Sequence, residues 1–188
     1  MTCRTPSSQP DLSHVLFTAD QLKQRVNEVA DEIARDYGKG EFIAASIMKG
    51  SFIFAADLIR CLSDRDVHPV VDFITLSSYG SETSSRGTVT LLNELSLPVA
   101  GHRVLLIDDI LDTGLTLQTA CQLLSGRGAT DVRTCVLLDK PSRRSVPISA
   151  NYCGFQVDDH FIVGYGLDYN NRYRHLPFLT TLIKPGTS

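Results

Sequence analysis

The sequence predicts an α/β fold in which a mostly parallel central sheet is flanked by helices. Two observations support this class of fold. Short apolar runs alternate along the chain with segments of helical periodicity, which is typical of strands joined by crossover helices. The length of 188 residues, with 43% hydrophobic and 21% charged residues, suits one globular domain with a substantial core.

The N-terminal part of the chain divides into a tail and a helix. Residues 1–13 contain few apolar side chains and predict a flexible tail, so the single domain is expected to span residues 14–188. A helix follows, with Thr18 or Asp20 as its N-cap and Gly38 near its end. Its apolar stripe consists of Leu22, Val26, Val29, Ile33 and Ala34.

The next segments predict strands, a helix and a long loop. Residues 42–47 predict a buried parallel strand, and residues 52–62 predict its crossover helix. Residues 67–76 and 88–92 are two further strand candidates. Between them, residues 77–87 are rich in Ser and Gly and predict a flexible loop that serves as a lid, with Ser78 and Tyr79 near its start.

The second half of the chain continues the alternation. Residues 104–107 give the clearest strand pattern, and the helix after them ends at Gly126 or Gly128. Residues 132–138 predict a fourth strand of the same kind, and residues 161–165 predict a fifth. Because helices separate successive strands, the sheet is expected to be mostly parallel.

The charge and cysteine content argue against several classes of partner. A formal net charge of −3 provides no broad basic surface for nucleic acid or for an anionic membrane, so a small molecule is expected instead. The five cysteines are odd in number and widely spaced, which disfavours a disulfide framework or a zinc site. The sequence shows no secretion signal or membrane-spanning run, and a cytoplasmic location is expected.

A candidate binding site follows the apolar run at residues 104–107. Ligands of open parallel sheets bind at the carboxyl ends of strands, where Asp108 and Asp109 are expected to lie. Residues 112–116 then lead into a helix, whose free N–H groups form an anion site. This pattern suits a substrate with a phosphate at one end and hydroxyls or a metal at the other. Asp112 taken alone is equally well explained as a helix cap.

Five ordered segments carry a resemblance to a known family. Residues 104–117, VLLIDDILDTGLTL, resemble the phosphoribosyl-pyrophosphate signature of the type I phosphoribosyltransferases. Four others resemble the hypoxanthine (hypoxanthine-guanine) members of that family, and the segments together reach from residue 46 to residue 174. These four are SIMKGS at 46–51, DF with SSYG between 72 and 80, LLDK at 137–140 and FIVGYGLDY at 161–169.

The resemblance implies a fold, a reaction and a cofactor. The fold is the type I phosphoribosyltransferase fold, with a small hood subdomain built from the N-terminal part and the C-terminal end of the chain. The reaction is purine salvage: transfer of the 5-phosphoribosyl group from phosphoribosyl pyrophosphate to hypoxanthine or guanine, giving IMP or GMP and pyrophosphate. Mg²⁺ is the implied cofactor, and a homodimer or homotetramer is the implied assembly.

The resemblance also assigns residues that bind the phosphoribosyl donor. Asp108 and Asp109 face the ribose hydroxyls, where carboxylates balance the positive charge that develops on the ribose. Asp112 has a second role as the catalytic base near purine N7. The 5-phosphate is held by backbone and hydroxyl groups of Asp112, Thr113, Gly114, Leu115 and Thr116.

Pyrophosphate and the metal have their own implied residues. Lys49, Gly50 and Arg174 neutralise the pyrophosphate, and the Lys49–Gly50 peptide bond is expected to be cis. Asp168 is the implied carboxylate for Mg²⁺ or its waters, with Asp108 and Asp109 as further candidates.

The implied purine site combines a lysine, an aromatic ring and a strand. Lys140 donates to the purine 6-oxygen, Phe161 stacks on the base, and the backbone carbonyl of Ile162 meets its edge, with Asp168 in the same set. Without the neighbouring motifs, Lys140 is better explained as a solvated lysine and Phe161 as a core residue.

The chain departs from the family pattern at two positions and leaves other interpretations open. Asp108 stands where Glu is frequent, and His160 stands where Lys is common and has no assigned function. Arg143 and Arg144 are expected to be solvated or at a subunit contact. The alternatives are an RNA-binding regulator on the same fold, which the acidic pI of 5.9 disfavours, a transferase for xanthine or another base, and a flavodoxin-like binding domain without catalysis.

Overall fold

A computed structural model describes residues 12–79 and 88–182 of the chain. In these residues, strands and helices alternate through most of the chain, as the sequence predicts. Their order is β1 (Leu12–Phe17), α1 (Ala19–Tyr37), β2 (Ile43–Met48), α2 (Phe52–Ser63), β3 (Val70–Tyr79), β4 (Thr88–Asn93), β5 (Arg103–Leu111), α3 (Leu115–Gly126), β6 (Asp131–Asp139), β7 (Tyr152–Gln156), β8 (Ile162–Val163) and β9 (Leu179–Leu182).

The central sheet has six strands in the order β4-β3-β2-β5-β6-β7. Neighbouring strands from β3 to β7 run parallel, and only the edge strand β4 is antiparallel to its neighbour. The predicted α/β fold with a mostly parallel sheet is thereby confirmed. β5 lies between β2 and β6, so the loops after these three strands meet at the same edge of the sheet.

Alternating side chains of the central strands are buried on both faces of the sheet. Leu105 and Ile107 of β5 pack into the cluster formed with α1 and α2, whereas Val104 and Leu106 pack with α3. All four side chains are fully buried. Because both faces are covered, β5 has no polar side, and this explains its continuous apolar run in the sequence.

The first helix begins and ends where the sequence predicts. Thr18 is the N-cap: its hydroxyl accepts a hydrogen bond from the Gln21 backbone N–H at 3.3 Å, and the Gln21 side chain accepts one from the Thr18 N–H at 2.8 Å. This reciprocal pair satisfies two otherwise free N–H groups. At the other end, Gly38 caps the helix by donating its N–H to Ala34. None of the helices in the described part of the chain has the length and apolar character needed to cross a membrane.

A second, three-stranded antiparallel sheet has the order β1-β9-β8. It pairs the first described strand of the chain with the last. Leu12 and Ser13, which the sequence analysis placed in the tail, belong to β1 because Leu12 pairs with Leu182. The rest of the expected tail lies outside the described residues.

The fifth parallel strand is not the segment that the sequence predicts. Only Ile162 and Val163 of the expected strand at 161–165 are extended, and they pair with β9 in the small sheet. The strand stops because Gly164 and Tyr165 both have positive φ angles, 101° and 46°. The fifth parallel strand is β7, whose short sequence YCGFQ has too weak an apolar pattern to stand out.

The strand before the expected flexible loop is longer than predicted. Ser77, Ser78 and Tyr79 belong to β3, because β4 pairs with them: Ser78 lies opposite Val89 and Tyr79 opposite Thr88. The placement of Ser78 and Tyr79 in the loop is therefore wrong for the backbone. The remainder of that loop, residues 80–87, lies outside the described residues.

Candidate active site

A cavity of about 490 Å³ opens at the carboxyl ends of β2 and β5. It is lined by the loop between β2 and α2, by Leu76 of β3, and by the chain from the end of β5 into α3. The cavity therefore brings together two groups of residues that the sequence assigned to the donor and to pyrophosphate. These are Asp108, Asp109, Asp112, Thr113, Gly114, Leu115 and Thr116 with Lys49 and Gly50.

Asp108 and Asp109 lie within β5 and not after it. The strand continues to Leu111 because its pairing with β6 persists, with Asp108 opposite Val136 and Ile110 opposite Leu138. Strand geometry turns the two neighbouring side chains toward different sides. Each carboxylate nevertheless accepts a hydrogen bond at 3.0 Å from the backbone N–H of the next residue.

The two carboxyl groups are poorly solvated. Burial raises the pKa of Asp108 well above its ordinary value, and the neighbouring Asp109 carboxylate raises it further. Burial also raises the pKa of Asp109, although hydrogen bonds from its surroundings and the Arg174 guanidinium act in the opposite direction. An arrangement of this kind attracts cations and hydroxyl donors, because either would stabilise the charged form.

The loop after β2 approaches β5 as closely as a glycine allows. A β-carbon added at Gly50 would collide with the Asp109 carboxylate. Beneath this loop, the buried Ser51 hydroxyl lies 2.7 Å from the Ser46 hydroxyl and donates to the Ile47 carbonyl. The cis peptide bond lies between Met48 and Lys49, one bond earlier than the expected Lys49–Gly50 bond. The resemblance located the loop correctly but not the bond.

The chain from Asp112 to Thr116 forms the turn into α3. Gly114 has a φ of 90°, a conformation that suits glycine, and an added β-carbon there would lie 2.6 Å from the Ile148 side chain. The first N–H groups of the helix have no partners within the helix. The Leu115 N–H makes a long contact of 3.4 Å with the Thr113 hydroxyl. This turn has the features of an anion site.

Arg174 connects the segment after β8 to the β2–α2 loop. Its guanidinium donates to the Gly166 carbonyl at 2.6 Å and pairs with Asp168 at 2.7 Å. Gly166 in turn packs so closely on the Gly50 carbonyl that no β-carbon would fit there. Arg174 is thus connected through Gly166 to the Gly50 loop, and its charge acts on the Asp109 carboxylate. Asp168, expected near the metal and the purine, is its ion-pair partner.

The residues expected to bind the purine lie beside the cavity, not among its lining. Lys140 is 6% exposed, donates to the His160 carbonyl at 2.5 Å and lies 3.7 Å from the Asp159 carboxylate. Phe161 is 41% exposed, and its ring meets Tyr169 edge-on with centroids 5.5 Å apart. Ile162 is buried in β8. Phe161 is therefore accessible from solvent.

Sequence reasoning missed the structural role of the two arginines after Lys140. Arg143 lies 3.2 Å from the Asp112 carboxylate and 3.6 Å from Asp159. Arg144 was expected to be solvated or at a subunit contact, yet its side chain is only 16% exposed and binds the Asp139 carboxylate and the carbonyls of Leu111 and Asp112. The two adjacent arginines stand out in the sequence. No neighbouring residue, however, indicates that their side chains bind the end of β5 and the residue after it.

The chain belongs to the phosphoribosyl transferase family, since residues 16–170 match the model of the phosphoribosyl transferase domain. This membership agrees with the three features that line the cavity. They are the carboxylates of β5, the turn into α3 with its free N–H groups, and the loop that carries Lys49. The class of protein is therefore a transferase that acts on pentosyl groups.

The similar proteins include several transferases of one kind. A hypoxanthine-guanine phosphoribosyltransferase of Bacillus subtilis is 40% identical over 172 residues, covering 92% of this chain and 94% of the relative. One from Dictyostelium discoideum is 39% identical over 169 residues, covering 89% and 94%. Among solved structures, the Bacillus anthracis hypoxanthine-guanine phosphoribosyltransferase has a TM-score of 0.84 at 37% identity and covers 93% of this chain and 100% of that chain. The Trypanosoma cruzi hypoxanthine phosphoribosyl transferase has a TM-score of 0.87 at 39% identity, covering 92% of each chain.

Proposed function

We propose that this protein transfers the 5-phosphoribosyl group of phosphoribosyl pyrophosphate to hypoxanthine or guanine and releases pyrophosphate. The observation that carries the proposal is the single cavity where the carboxylates of β5, the turn into α3 and the Lys49–Gly50 loop meet. These three features suit a ribose, a phosphate monoester and a pyrophosphate respectively. The names of the relatives at about 40% identity support the same reaction.

The donor is held by groups at both ends of the cavity. The N–H groups at the start of α3 and the hydroxyls of Thr113 and Thr116 bind the 5-phosphate, and the helix N-terminus favours its negative charge. Asp108 and Asp109 accept hydrogen bonds from the ribose 2- and 3-hydroxyls. As the bond to pyrophosphate breaks, positive charge grows on the ribose, and the buried Asp108 carboxylate and the partly buried Asp109 carboxylate stabilise it.

The purine is held from the other side of the reacting ribose. Lys140 donates to the 6-oxygen, Phe161 stacks on the ring, and the carbonyl of Ile162 accepts from the edge of the base. Asp112 accepts the proton that leaves N7 as the new bond forms. Asp112 lines the cavity and is 40% exposed, so its carboxylate is accessible to a bound base.

Pyrophosphate departure requires that its charge be neutralised. Lys49 and Arg174 supply two positive charges beside Gly50, whose N–H is part of the same loop. In the described residues no group of three or more His, Cys, Asp or Glu is placed to hold a metal ion. Mg²⁺ commonly takes one or two carboxylates and completes its shell with substrate oxygens and water. Asp108, Asp109 and Asp168 are the carboxylates available, and bound Mg²⁺ would neutralise further charge on the leaving group.

The test is nucleotide formation by the purified full chain. The protein is mixed with phosphoribosyl pyrophosphate, Mg²⁺ and each of hypoxanthine, guanine, xanthine and uracil in turn, and product is followed by absorbance and chromatography. We expect turnover with hypoxanthine and guanine and none with uracil. Absence of product with both of the first two bases contradicts the proposal, and turnover with xanthine alone would favour a transferase for that base.

A homodimer or homotetramer is also proposed. Its support is an exposed apolar surface on β3 and at the start of α2: Phe52, Val71 and Phe73 are 41%, 38% and 48% exposed. Val71 and Phe73 share one face of the strand, so their side chains form a continuous patch. Sedimentation at several protein concentrations distinguishes monomer, dimer and tetramer.

We also propose that the protein works in a reducing, cytoplasmic compartment. The support is that the four cysteines of the described residues are free thiols.

A further inference from the structure

Arg144 makes an unusual set of contacts for a residue in a surface connection. Its side chain is 16% exposed and its partner Asp139 is 13% exposed. One guanidinium nitrogen donates to the backbone carbonyls of Leu111, at 3.1 Å, and of Asp112, while the other donates to the Asp139 carboxylate. A single planar group therefore ties two successive carbonyls at the end of β5 to the end of β6.

The next residue extends the same arrangement by one peptide. The Ser145 backbone N–H donates to the Thr113 carbonyl at 2.9 Å, and the Ser145 hydroxyl lies 3.1 Å from the same oxygen. Three consecutive carbonyls, from Leu111 to Thr113, are thus bound by residues 144 and 145. Neither of these two residues lines the cavity. Residues 111–114 do line it, so residues 144 and 145 bind the turn from outside the cavity lining.

The binding of three carbonyls fixes the direction of the N–H groups. In a planar trans peptide the C=O of one residue points opposite to the N–H of the next. Carbonyls of residues 111–113 held toward Arg144 and Ser145 therefore direct the N–H groups of Asp112, Thr113 and Gly114 the other way, toward the cavity. Those N–H groups are where the proposed function puts the 5-phosphate.

The stem of Arg144 also packs on the turn. A β-carbon added at Gly114 would lie 3.2 Å from the Arg144 Cδ and 2.9 Å from the Val146 side chain. Gly114 is the residue whose φ of 90° allows the chain to enter α3. Arg144 thus contacts the turn both through its guanidinium and through its aliphatic part.

We infer that Arg144 is a positioning residue: without touching the substrate, it holds the turn 111–114 so that its N–H groups face the 5-phosphate. The inference rests on the proposed function. Lysine cannot replace arginine here, because an ammonium group lacks the planar fork that reaches two carbonyls and a carboxylate at once. The inference predicts a defect in phosphate binding, with purine binding spared.

The experiment compares Arg144→Lys with a matched control, Arg65→Lys. Arg65 is 19% exposed and has the same kinds of partner: the Cys61 carbonyl at 2.7 Å, the Asn27 carbonyl at 2.9 Å and the Asp31 carboxylate at 2.6 Å. Arg65 follows α2 in the sequence, binds groups of both α1 and α2, and does not line the cavity. Both variants lose one partly buried guanidinium, so a general loss of stability should affect them alike.

The measurements are the KM for phosphoribosyl pyrophosphate, the KM for hypoxanthine, the Kd for ribose 5-phosphate by calorimetry, and the unfolding midpoint. For Arg144→Lys we expect the KM of the donor and the Kd of ribose 5-phosphate to rise roughly tenfold to hundredfold, a range typical of small displacements of a binding group. The KM for hypoxanthine should change little. For Arg65→Lys we expect only the unfolding midpoint to fall.

Other outcomes distinguish a failure of the positioning role of Arg144 from a failure of the proposed function. An Arg144→Lys protein that binds ribose 5-phosphate as tightly as the wild type overturns the inference, and so does an equal loss in both variants. A wild-type protein that forms no nucleotide and does not bind ribose 5-phosphate contradicts the proposed function instead. If Arg144→Lys does not fold, Asp139→Asn tests the same contact, because it leaves Arg144 in place and removes its anionic partner. We expect a smaller rise in the same two constants, and unchanged constants would overturn the inference.

Discussion

Asp108 illustrates how a single residue can be unfavourable for stability and useful for function. The side chain is 6% exposed and has another carboxylate as its neighbour, so its charged form is disfavoured in the free protein. A ribose that carries positive charge in the transition state removes that disadvantage. Stability and activity are therefore expected to respond in opposite directions when the charge is removed.

Asp108→Asn is expected to stabilise the free protein and to slow the reaction. Since the folded state raises the pKa of Asp108 above its ordinary value of 3.8, the wild-type protein loses stability as the pH rises from that ordinary value to the raised pKa, above which the loss is complete. Asparagine has no such proton to lose. The gain in unfolding midpoint, measured with a chelator present, should be larger at about pH 8 than at about pH 4, close to the ordinary pKa. Equal gains at the two pH values would contradict this explanation.

Asp112→Asn tests the proposed base. The amide cannot accept the proton from N7, so kcat should fall by about 10²-fold to 10⁴-fold while the unfolding midpoint stays close to that of the wild type. Asp131→Asn is a suitable control because Asp131 lies at the start of β6, outside the cavity lining, and also pairs with an arginine, Arg133. A kcat for Asp112→Asn equal to that of the control would exclude the assignment.

Lys140→Ala tests the proposed contact with the purine 6-oxygen. A hydrogen bond from a charged donor contributes about 1.5–3 kcal/mol, so the KM for hypoxanthine should rise by roughly tenfold to hundredfold. The KM for phosphoribosyl pyrophosphate should change much less. Lys39→Ala serves as the control, since Lys39 is 83% exposed, pairs with Asp66 and lies outside the cavity lining. Equal weakening of both substrates by Lys140→Ala would argue against a specific role.

At the scale of elements, the site depends on how closely three loops approach one another. The β2–α2 loop touches the end of β5 at Asp109 and touches the segment after β8 at Gly166. Neither contact leaves room for a β-carbon. The pyrophosphate side of the site is therefore built by direct backbone packing between elements, and a small change of side chain is enough to disturb it.

Gly50→Ala is the smallest change that tests this packing. The new methyl group would overlap the Asp109 carboxylate, so the loop and the strand end must separate, and kcat/KM for the donor should fall by roughly 10²-fold. Gly126→Ala, at the end of α3, adds the same methyl group where no atom lies within 4 Å. That control should leave kcat/KM unchanged and should stabilise slightly, because alanine favours helix. Comparable losses in the two variants would contradict the role of close packing.

At the scale of the whole molecule, the sequence predicted the parts that depend on local patterns. β2, β5 and β6 were visible because both of their faces are buried, and α1 was visible because Thr18 and Gly38 mark its ends. β1 and β9 were not visible in the sequence, because they are stabilised by pairing with each other. Leu12 of β1 pairs with Leu182 of β9, at the far end of the described chain. β1 is a mostly exposed edge strand, and β9 is buried but has only four residues, two of them threonines, so neither carries a strong apolar signal.

The site shows the same division between local and distant information. The acidic strand end and the turn into α3 are contiguous in the sequence, so their chemistry could be inferred from the residues alone. Lys140 and Phe161 could be assigned only through the resemblance, because a lone lysine and a lone phenylalanine have commoner explanations. Arg144 was missed because two of its three partners are backbone carbonyls about thirty residues earlier, and backbone atoms leave no trace in residue identity.

The order of the small sheet, β1-β9-β8, has a consequence for the timing of synthesis. Chains emerge from the ribosome N-terminus first. β1 is the first described element to be made, yet its partner in the sheet is β9, which ends at Leu182. Until β9 is made, β1 therefore has an unsatisfied edge, and β8 likewise has no neighbour in the small sheet. The strand that joins both is the last described element to be made, so the small sheet can form only after every other described element has been synthesised.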